Sequence, residues 1–499
     1  MPATVLDALG TVDGTLPAID DGTLRLSYAD VHRSVAAERR WLQSMRVRRC
    51  ALLAENSARW ILSDLALLAC EAVNVPLPAS FTREQVAHVL DDADIEWVLT
   101  DQAEHFMGEH PTFAYVNTSH RTGLALLKRE ACRSEAGLRA SDLGKVTYTS
   151  GSTGASKGVC LRRAVIQLVT DSLVAATAGL GVQTHLCLLP LATLLENVAG
   201  VYVPLTMGAK VLVPPGHTMG VSYSGLNAPL LLKAIDSASP ESMILVPELL
   251  RVLVYAARDG WRAPVSLKFI AVGGGGVAPA LLQEARRAGL PVFQGYGLSE
   301  CASVVCLNTP KHDKPDSVGR PLPHARVRID DNGEICVSGA TMAGYLGDSR
   351  RQAGEVRTGD LGAIDADGFV YVRGRLKNMF ITSMGRNVTP EWVEGELNCE
   401  PAIAQAMVSG EARPYPVALI VGSANAREES ITQAIGRANA RLPDYARIRG
   451  WAFFPEAPTL SNGLLTANGR LRRAEIAAKY HQLIDSIYDQ STDTVHAIQ

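Results

Sequence analysis

Short apolar runs alternate with helix-patterned stretches along most of the chain, and this alternation limits the fold more than any other feature. Lys210 to Val213 reads as a strand closed by Pro214 and Pro215. Ser242 to Val246 and Leu267 to Val272 are similar runs, each leading into Pro or Gly. Val73 to Leu77 is a short apolar run interrupted by Pro76. Between such runs, Glu55 to Leu68 places Ile61, Leu65 and Leu68 on one face at helical spacing, and Leu281 to Ala288 reads as a helix. Strands alternating with helices indicate α/β architecture with parallel or mixed sheets.

The texture changes after Gly319. Ala325 to Ile329, Gly333 to Ser338 and Phe369 to Val372 read as short strands joined by Asp-Asn-Gly and Asp-Gly turns. Beyond Arg375, Pro390 to Leu397, Glu428 to Arg441 and Glu475 to Asp489 have helical patterns around a strand-like Val417 to Val421. That tail suits one small α+β domain.

Composition removes several classes. A chain of 499 residues is too long for one ordinary core. Its 48 Lys+Arg against 51 Asp+Glu leave a net charge of −3, so no basic field points to nucleic acid. The apolar stretch Ile61 to Leu77 is broken by Asp64 and Glu71, which argues against an integral membrane segment there. The first ten residues lack the basic and apolar regions of a signal peptide. Nine scattered Cys without a CxxC pair suit reduced thiols, and a cytoplasmic location is expected. No HxxxH or HExxH pair suggests a metal site.

The sharpest local feature is the run from Val146 to Val159, TYTSGSTGASKG within it. A β-favouring stretch enters a loop of hydroxyls and glycines with one Lys. Glycines let backbone N–H groups turn toward an anion, and hydroxyls add donors. Lys157 adds a point charge for phosphate. A Walker A loop requires Gly-Lys-Ser/Thr, and here Ser156 precedes Lys157 and Gly158 follows it. The Walker reading therefore fails at two positions.

This loop resembles the phosphate loop of the adenylate-forming superfamily, the AMP-binding acyl-CoA synthetases, adenylation domains and luciferases. The resemblance continues in order through Gln294 to Glu300 (QGYGLSE), Arg357 to Leu361 (RTGDL), Gly374 to Asn378 (GRLKN), Gly385 to Glu391 (GRNVTPE) and Leu465 to Arg473. Glu55 to Trp60 and Val75 to Leu77 resemble the long-chain acyl-CoA synthetase branch. The resemblance implies a fold with a large N-terminal domain of two doubly wound α/β subdomains plus a β-rich subdomain at about 320–375. A small mobile α+β C-terminal domain is expected over 376–499.

The implied reaction activates a carboxylic acid, fatty or otherwise apolar, with ATP and Mg²⁺. It gives acyl-AMP and pyrophosphate, then a thioester with CoA. Such a site must neutralise triphosphate charge and align the carboxylate with phosphorus. Thr149, Ser150, Gly151, Ser152, Thr153, Gly154 and Lys157 would hold the triphosphate. Glu300, with Thr149, would hold Mg²⁺. Ser299 would donate to the α-phosphate. Gly295, Tyr296 and Gly297 would form the adenine platform, with Tyr296 stacking by its flat face. Gly274, Gly275 and Gly276 would let ligand approach the backbone. Asp360 suits the ribose hydroxyls, and Arg375 suits ribose or phosphate. Lys377 occupies the hinge position, and Gly385 would face the pantetheine path in a second pose.

Two positions depart from the family pattern. Arg470 stands where the family has its C-terminal catalytic Lys, and a planar fork is not a point charge. Thr193 stands where long-chain relatives carry a His. An acyl-AMP ligase that loads a carrier protein or an amine is one alternative. A nucleotide- or acyl-binding protein weakened by Arg470 is another. Pocket walls are expected from Pro190 to Val213 and Met243 to Val254.

Overall fold

A computed structural model describes residues 4–130, 142–149, 156–222, 225–348, 354–424, 426–459, 462–465, 470–489 and 496–497. The loop residues Ser150, Gly151, Ser152, Thr153 and Gly154 lie outside them. The chain forms two compact units. The first comprises Met1–Gly274, Ala285–Arg328 and Cys336–Val356. The second comprises Gly275–Glu284, Ile329–Ile335 and Arg357–Gln499. This division falls at Val356, whereas the expected boundary at Arg375 concerns a hinge and stays a proposal about motion.

The first unit contains two large mixed sheets, as the alternation of the sequence requires. One sheet has eight strands. Its centre is parallel, with Arg49–Leu53 between Val73–Pro76 and Trp97–Thr100. Leu143–Thr149 then pairs with Val73–Pro76 in parallel and with Lys157–Arg162 antiparallel. The other sheet has nine strands. Lys210–Leu212, Thr184–Leu186, Ser242–Leu245, Phe269–Val272 and Val292–Leu298 run parallel through it. Central strands are buried on both faces because helices cover both, as in Val73–Pro76 and Ser242–Leu245. Helices Tyr28–Ser44, Ala58–Ala69 and Arg163–Thr177 contribute to one continuous core with both sheets, through Val31, Trp60, Leu65, Val169 and Leu173.

The helix expected from Glu55 begins instead at Ala58. The Ser57 hydroxyl accepts from the Trp60 N–H, which makes Ser57 the cap and leaves Glu55 and Asn56 outside. Asn56 bonds the backbone of Leu189 and Leu191. Arg163–Leu180 is long and apolar enough to cross a membrane, with mean hydropathy 1.2, a stretch the sequence reading did not weigh. One of its faces, Ile166, Val169, Thr170 and Leu173, is buried in the core.

In the second unit, Glu355–Ile364 pairs antiparallel with Val370–Arg375 across Asp360 to Ile364. A four-stranded sheet of Ile403–Ser409, Val417–Gly422, Gly450–Phe453 and His496–Ala497 packs against helices Pro390–Asn398 and Glu428–Arg441. The helix expected over Glu475 to Asp489 is two helices, Arg473–Lys479 and His481–Asp489. Tyr480 leaves the helical backbone between them and packs edge-on against Phe454.

Within the first unit lies a buried polar network. The Lys145 ammonium donates to Asp64 at 2.6 Å, to Tyr202 at 3.1 Å and to Asn197. Asp64 also accepts from Asn74 at 2.6 Å, Asn197 at 2.8 Å and Tyr202 at 2.6 Å. Burial presses the Lys145 ammonium below its ordinary pKa, and the Asp64 charge opposes that shift. Asn197 and Tyr202 belong to a π-helical turn, Glu196–Tyr202. Removing one member of a buried pair strands the other. Lys145→Met should therefore lose about 3–5 kcal/mol of unfolding free energy by urea denaturation. Adding Asp64→Leu should recover part of that loss.

Candidate active site

The phosphate-loop motif forms the neck of a hairpin. Thr149 and Lys157 are direct cross-strand partners at the ends of Leu143–Thr149 and Lys157–Arg162. Both chain ends of the hydroxyl-rich loop are thus held at one sheet edge, and Lys157 is exposed there. Gly158 leaves little room at the exit. A Cβ there would meet Val146 at 3.0 Å, Tyr148 at 3.1 Å and Leu346 at 3.2 Å.

Gly295, Tyr296 and Gly297 lie on strand Val292–Leu298, which pairs antiparallel with Ser303–Leu307. The return is so tight that a Cβ on Gly297 would lie 1.8 Å from the Ser303 carbonyl oxygen. Ser299 and Glu300 occupy a single 3₁₀ turn at the end of this strand. The turn closes through two non-glycine residues of positive φ, Ala302 at 54° and Ser303 at 108°. Such backbone is costly and persists where the surroundings impose it.

Tyr345 links Glu300 to Lys157. Its hydroxyl donates to Glu300 Oε1 at 2.8 Å. The Lys157 ammonium lies 5.4 Å from the centre of its ring. Glu300 offers carboxylate oxygen, which is the ligand chemistry of Mg²⁺ sites. Gly274, at the C-terminal end of Phe269–Val272, has φ +80°, and a Cβ on Gly276 would meet open space.

In the second unit, Asp360 and Arg375 are cross-strand partners joined by an ion pair at 2.8 Å. Arg375 also donates to the Thr358 carbonyl at 3.1 Å. The Gly359 N–H donates to Glu334 at 2.8 Å, where the strand takes a positive φ of 70° just before Asp360. Lys377 follows in a 3₁₀ turn. Its ammonium is held below the ordinary lysine range by burial first, then by the Arg375 charge and in part by Arg470. Two predicted site residues, Arg375 and Arg470, therefore act electrostatically on a third, Lys377. Arg470 is exposed, and Gly385 turns between Phe380–Ile381 and Asn387–Val388 with φ +69°.

The order of these elements matches known proteins. Residues 11–346 match the family model of AMP-binding enzymes. Residues 377–492 match the AMP-binding enzyme C-terminal domain. The chain belongs to the AMP-binding enzymes. Among curated proteins it is 27% identical to the long-chain-fatty-acid–CoA ligase FadD15 of Mycobacterium bovis, covering 89% of this chain and 88% of that one. It is 28% identical to a 2-succinylbenzoate–CoA ligase of Bacillus mycoides, covering 88% and 92%. Its fold is that of the o-succinylbenzoate CoA synthetase MenE of Bacillus subtilis, solved with an acyl-adenylate intermediate. The TM-score is 0.74 at 23% identity, covering 95% and 98%.

The sequence reading of this AMP-binding enzyme missed Tyr345, because a lone Gly-Tyr step carries no local signal. It also missed a cluster at Thr184–Leu186, where His185 is hydrogen-bonded to Ser242 at 2.8 Å and lies 3.4 Å from Glu196. His185 and Ser242 line a small apolar cavity of about 70 Å³, with Leu173, Leu195, Ala199 and Phe269 among its walls. Leu195 and Ala199 come from the segment Pro190 to Val213 and Met243 from Met243 to Val254, both expected to form pocket walls. Thr193 is not in that wall. Its hydroxyl donates to the Pro190 carbonyl at 2.6 Å.

A depressed ammonium is more often neutral, and therefore more nucleophilic, at mildly alkaline pH. Lys377 should acetylate faster than the exposed Lys311 at pH 8 with a limiting amine reagent, read by mass spectrometry. Arg375→Ala should narrow that difference.

Proposed function

We propose that this AMP-binding enzyme is an acid–CoA ligase that activates an apolar carboxylic acid through acyl-AMP. The carrying observation is that both domain models of the family match, over residues 11–346 and 377–492, with acid–CoA ligases among the relatives over most of their length. ATP and CoA are its co-substrates in this reading. In the first step a carboxylate oxygen attacks the α-phosphorus as the bond to pyrophosphate breaks. In the second, a thiol sulfur attacks the acyl carbon and AMP leaves.

Lys157 and the hydroxyls around it would meet the triphosphate, where fixed positive charge is worth most as charge shifts. Ser299 would donate to the α-phosphate. Glu300 and Thr149 would hold Mg²⁺, which neutralises phosphate charge when bound. Asp360 is buried and its carboxylate already faces a cation, Arg375, so it stays an acceptor suited to ribose hydroxyls. Tyr296 and the glycines at 274–276 and 295–297 would border the adenosine. Arg470 would approach the carboxylate and α-phosphate from the C-terminal domain, with Lys377 at the hinge and Gly385 on the thiol side.

The cavity favours an apolar acyl chain over an aromatic acid with a second charge. Its wall is almost wholly hydrocarbon. It lies at the N-terminal ends of the parallel strands, against Ser242 and Phe269, the first residues of theirs. The motif residues lie at the opposite, C-terminal ends.

Pyrophosphate release by purified protein over fatty, aryl and dicarboxylic acids, with and without CoA, tests this reading. Release with fatty acids and an acyl-CoA product is expected. Silence across the panel would overturn it. Asp360→Ala should lower kcat/KM at least 100-fold, while Arg470→Lys should stay within about tenfold of the parent. A parent near zero that Arg470→Lys restores would instead favour a protein weakened in adenylation. Ala199→Phe, which fills the cavity, should shift the profile toward shorter acids.

A further inference from the structure

Tyr345 is the one side chain seen to touch both charged groups assigned to the nucleotide in the first unit, among the described residues. Its strand residue pairs with Val159, two positions past Lys157. Around it, three backbone bonds tie the same short segment to the site. The Met342 N–H donates to the Glu300 carbonyl at 2.7 Å, the Ala343 N–H to the Cys160 carbonyl at 2.8 Å and the Leu346 N–H to the Gly158 carbonyl at 2.7 Å. Thr341 to Leu346 is therefore a clasp between the Ser299–Glu300 turn and the strand that leaves the phosphate loop. Without it, those two parts come from different sheets of the unit.

We propose that Tyr345 is a positioning residue that presents the Glu300 carboxylate and the Lys157 ammonium to one metal–triphosphate group. The inference rests on the acid–CoA ligase reading, which assigns Glu300 and Lys157 their ligands. The two halves of the side chain have separate duties. The hydroxyl occupies Glu300 Oε1 and fixes the rotamer of the carboxylate, leaving the second oxygen for a cation. The ring gives Lys157 a cation–π seat, which restrains a long and otherwise free side chain. Tyr345 touches no reacting atom in this account. It acts through Glu300 and Lys157.

This division makes two variants informative. Tyr345→Phe keeps the ring and removes the hydroxyl. Tyr345→Leu removes both. Mn²⁺ binding to the ATP complex, followed by electron paramagnetic resonance, reads the carboxylate. Fluorescent ATP binding without metal reads the lysine. Tyr345→Phe should weaken Mn²⁺ binding about tenfold, the loss of one hydrogen bond to a charged group, and leave metal-free ATP binding unchanged. Tyr345→Leu should weaken metal-free binding as well, by about threefold. In a Glu300→Gln background, Tyr345→Phe should cause no further loss of metal binding, an outcome a merely structural tyrosine would not give.

Equal Mn²⁺ affinity in Tyr345→Phe and the parent would overturn the proposal, as would full additivity with Glu300→Gln. The ligase reading fails separately. A parent that binds Mn²⁺–ATP yet releases no pyrophosphate with any acid would sink that reading and leave the role of Tyr345 intact. A parent that takes up no Mn²⁺ with ATP would overturn both.

Discussion

The pairing of Lys145 with Asp64 is the constraint on which the first unit's site depends. Both groups are buried among helices and strands, where an unpaired charge would cost several kcal/mol. Asp64 lies on helix Ala58–Ala69, Asn74 on the central strand Val73–Pro76, and Asn197 and Tyr202 on the π-helical turn. Lys145 lies on the strand that carries Thr149 to the phosphate loop. One carboxylate thus fixes four elements at once. A hydrophobic contact could slide by a few tenths of an ångström, whereas a network with this many directed bonds cannot. The π-helical turn widens the backbone ring, and such turns often mark functional sites.

The groups proposed to meet the nucleotide are then set by close backbone approaches. Gly297 leaves no space for a side chain and Gly158 leaves little, and the positive φ of Ala302 and Ser303 follows from the sharp return at Glu300. These restraints bring Glu300 within reach of Tyr345 and leave Lys157 at the open edge of its hairpin. In the second unit the Asp360–Arg375 pair does similar work across a hairpin. Its Arg also lowers the neighbouring Lys377.

Much of this was legible in the sequence. Apolar runs closed by Gly or Pro gave strand ends to within a residue or two at Lys210, Ser242 and Phe269. Glu428–Arg441 is a helix over the span its pattern predicts. The ordered motifs singled out Lys157, Glu300, Asp360 and Arg375 as candidates because glycine and charge at fixed spacing leave a local signature. The rest was not local. Tyr345 meets Glu300 across 45 positions, and Lys145 meets Asp64 across 81. A sequence pattern read in windows of a dozen residues cannot register such contacts. Helix ends were misjudged at Glu55 and Tyr480 for a related reason, since a cap hydroxyl or an aromatic contact outweighs the periodicity that continues past it.

The central claim is that a carboxylate attacks the α-phosphate on this chain. Exchange of labelled pyrophosphate into ATP, with an acid and without CoA, measures the reverse of that step directly. The account predicts exchange that requires a fatty acid, requires a divalent cation and falls to background in Glu300→Gln. Exchange that proceeds without acid, or none with any acid while ATP still binds, would contradict it.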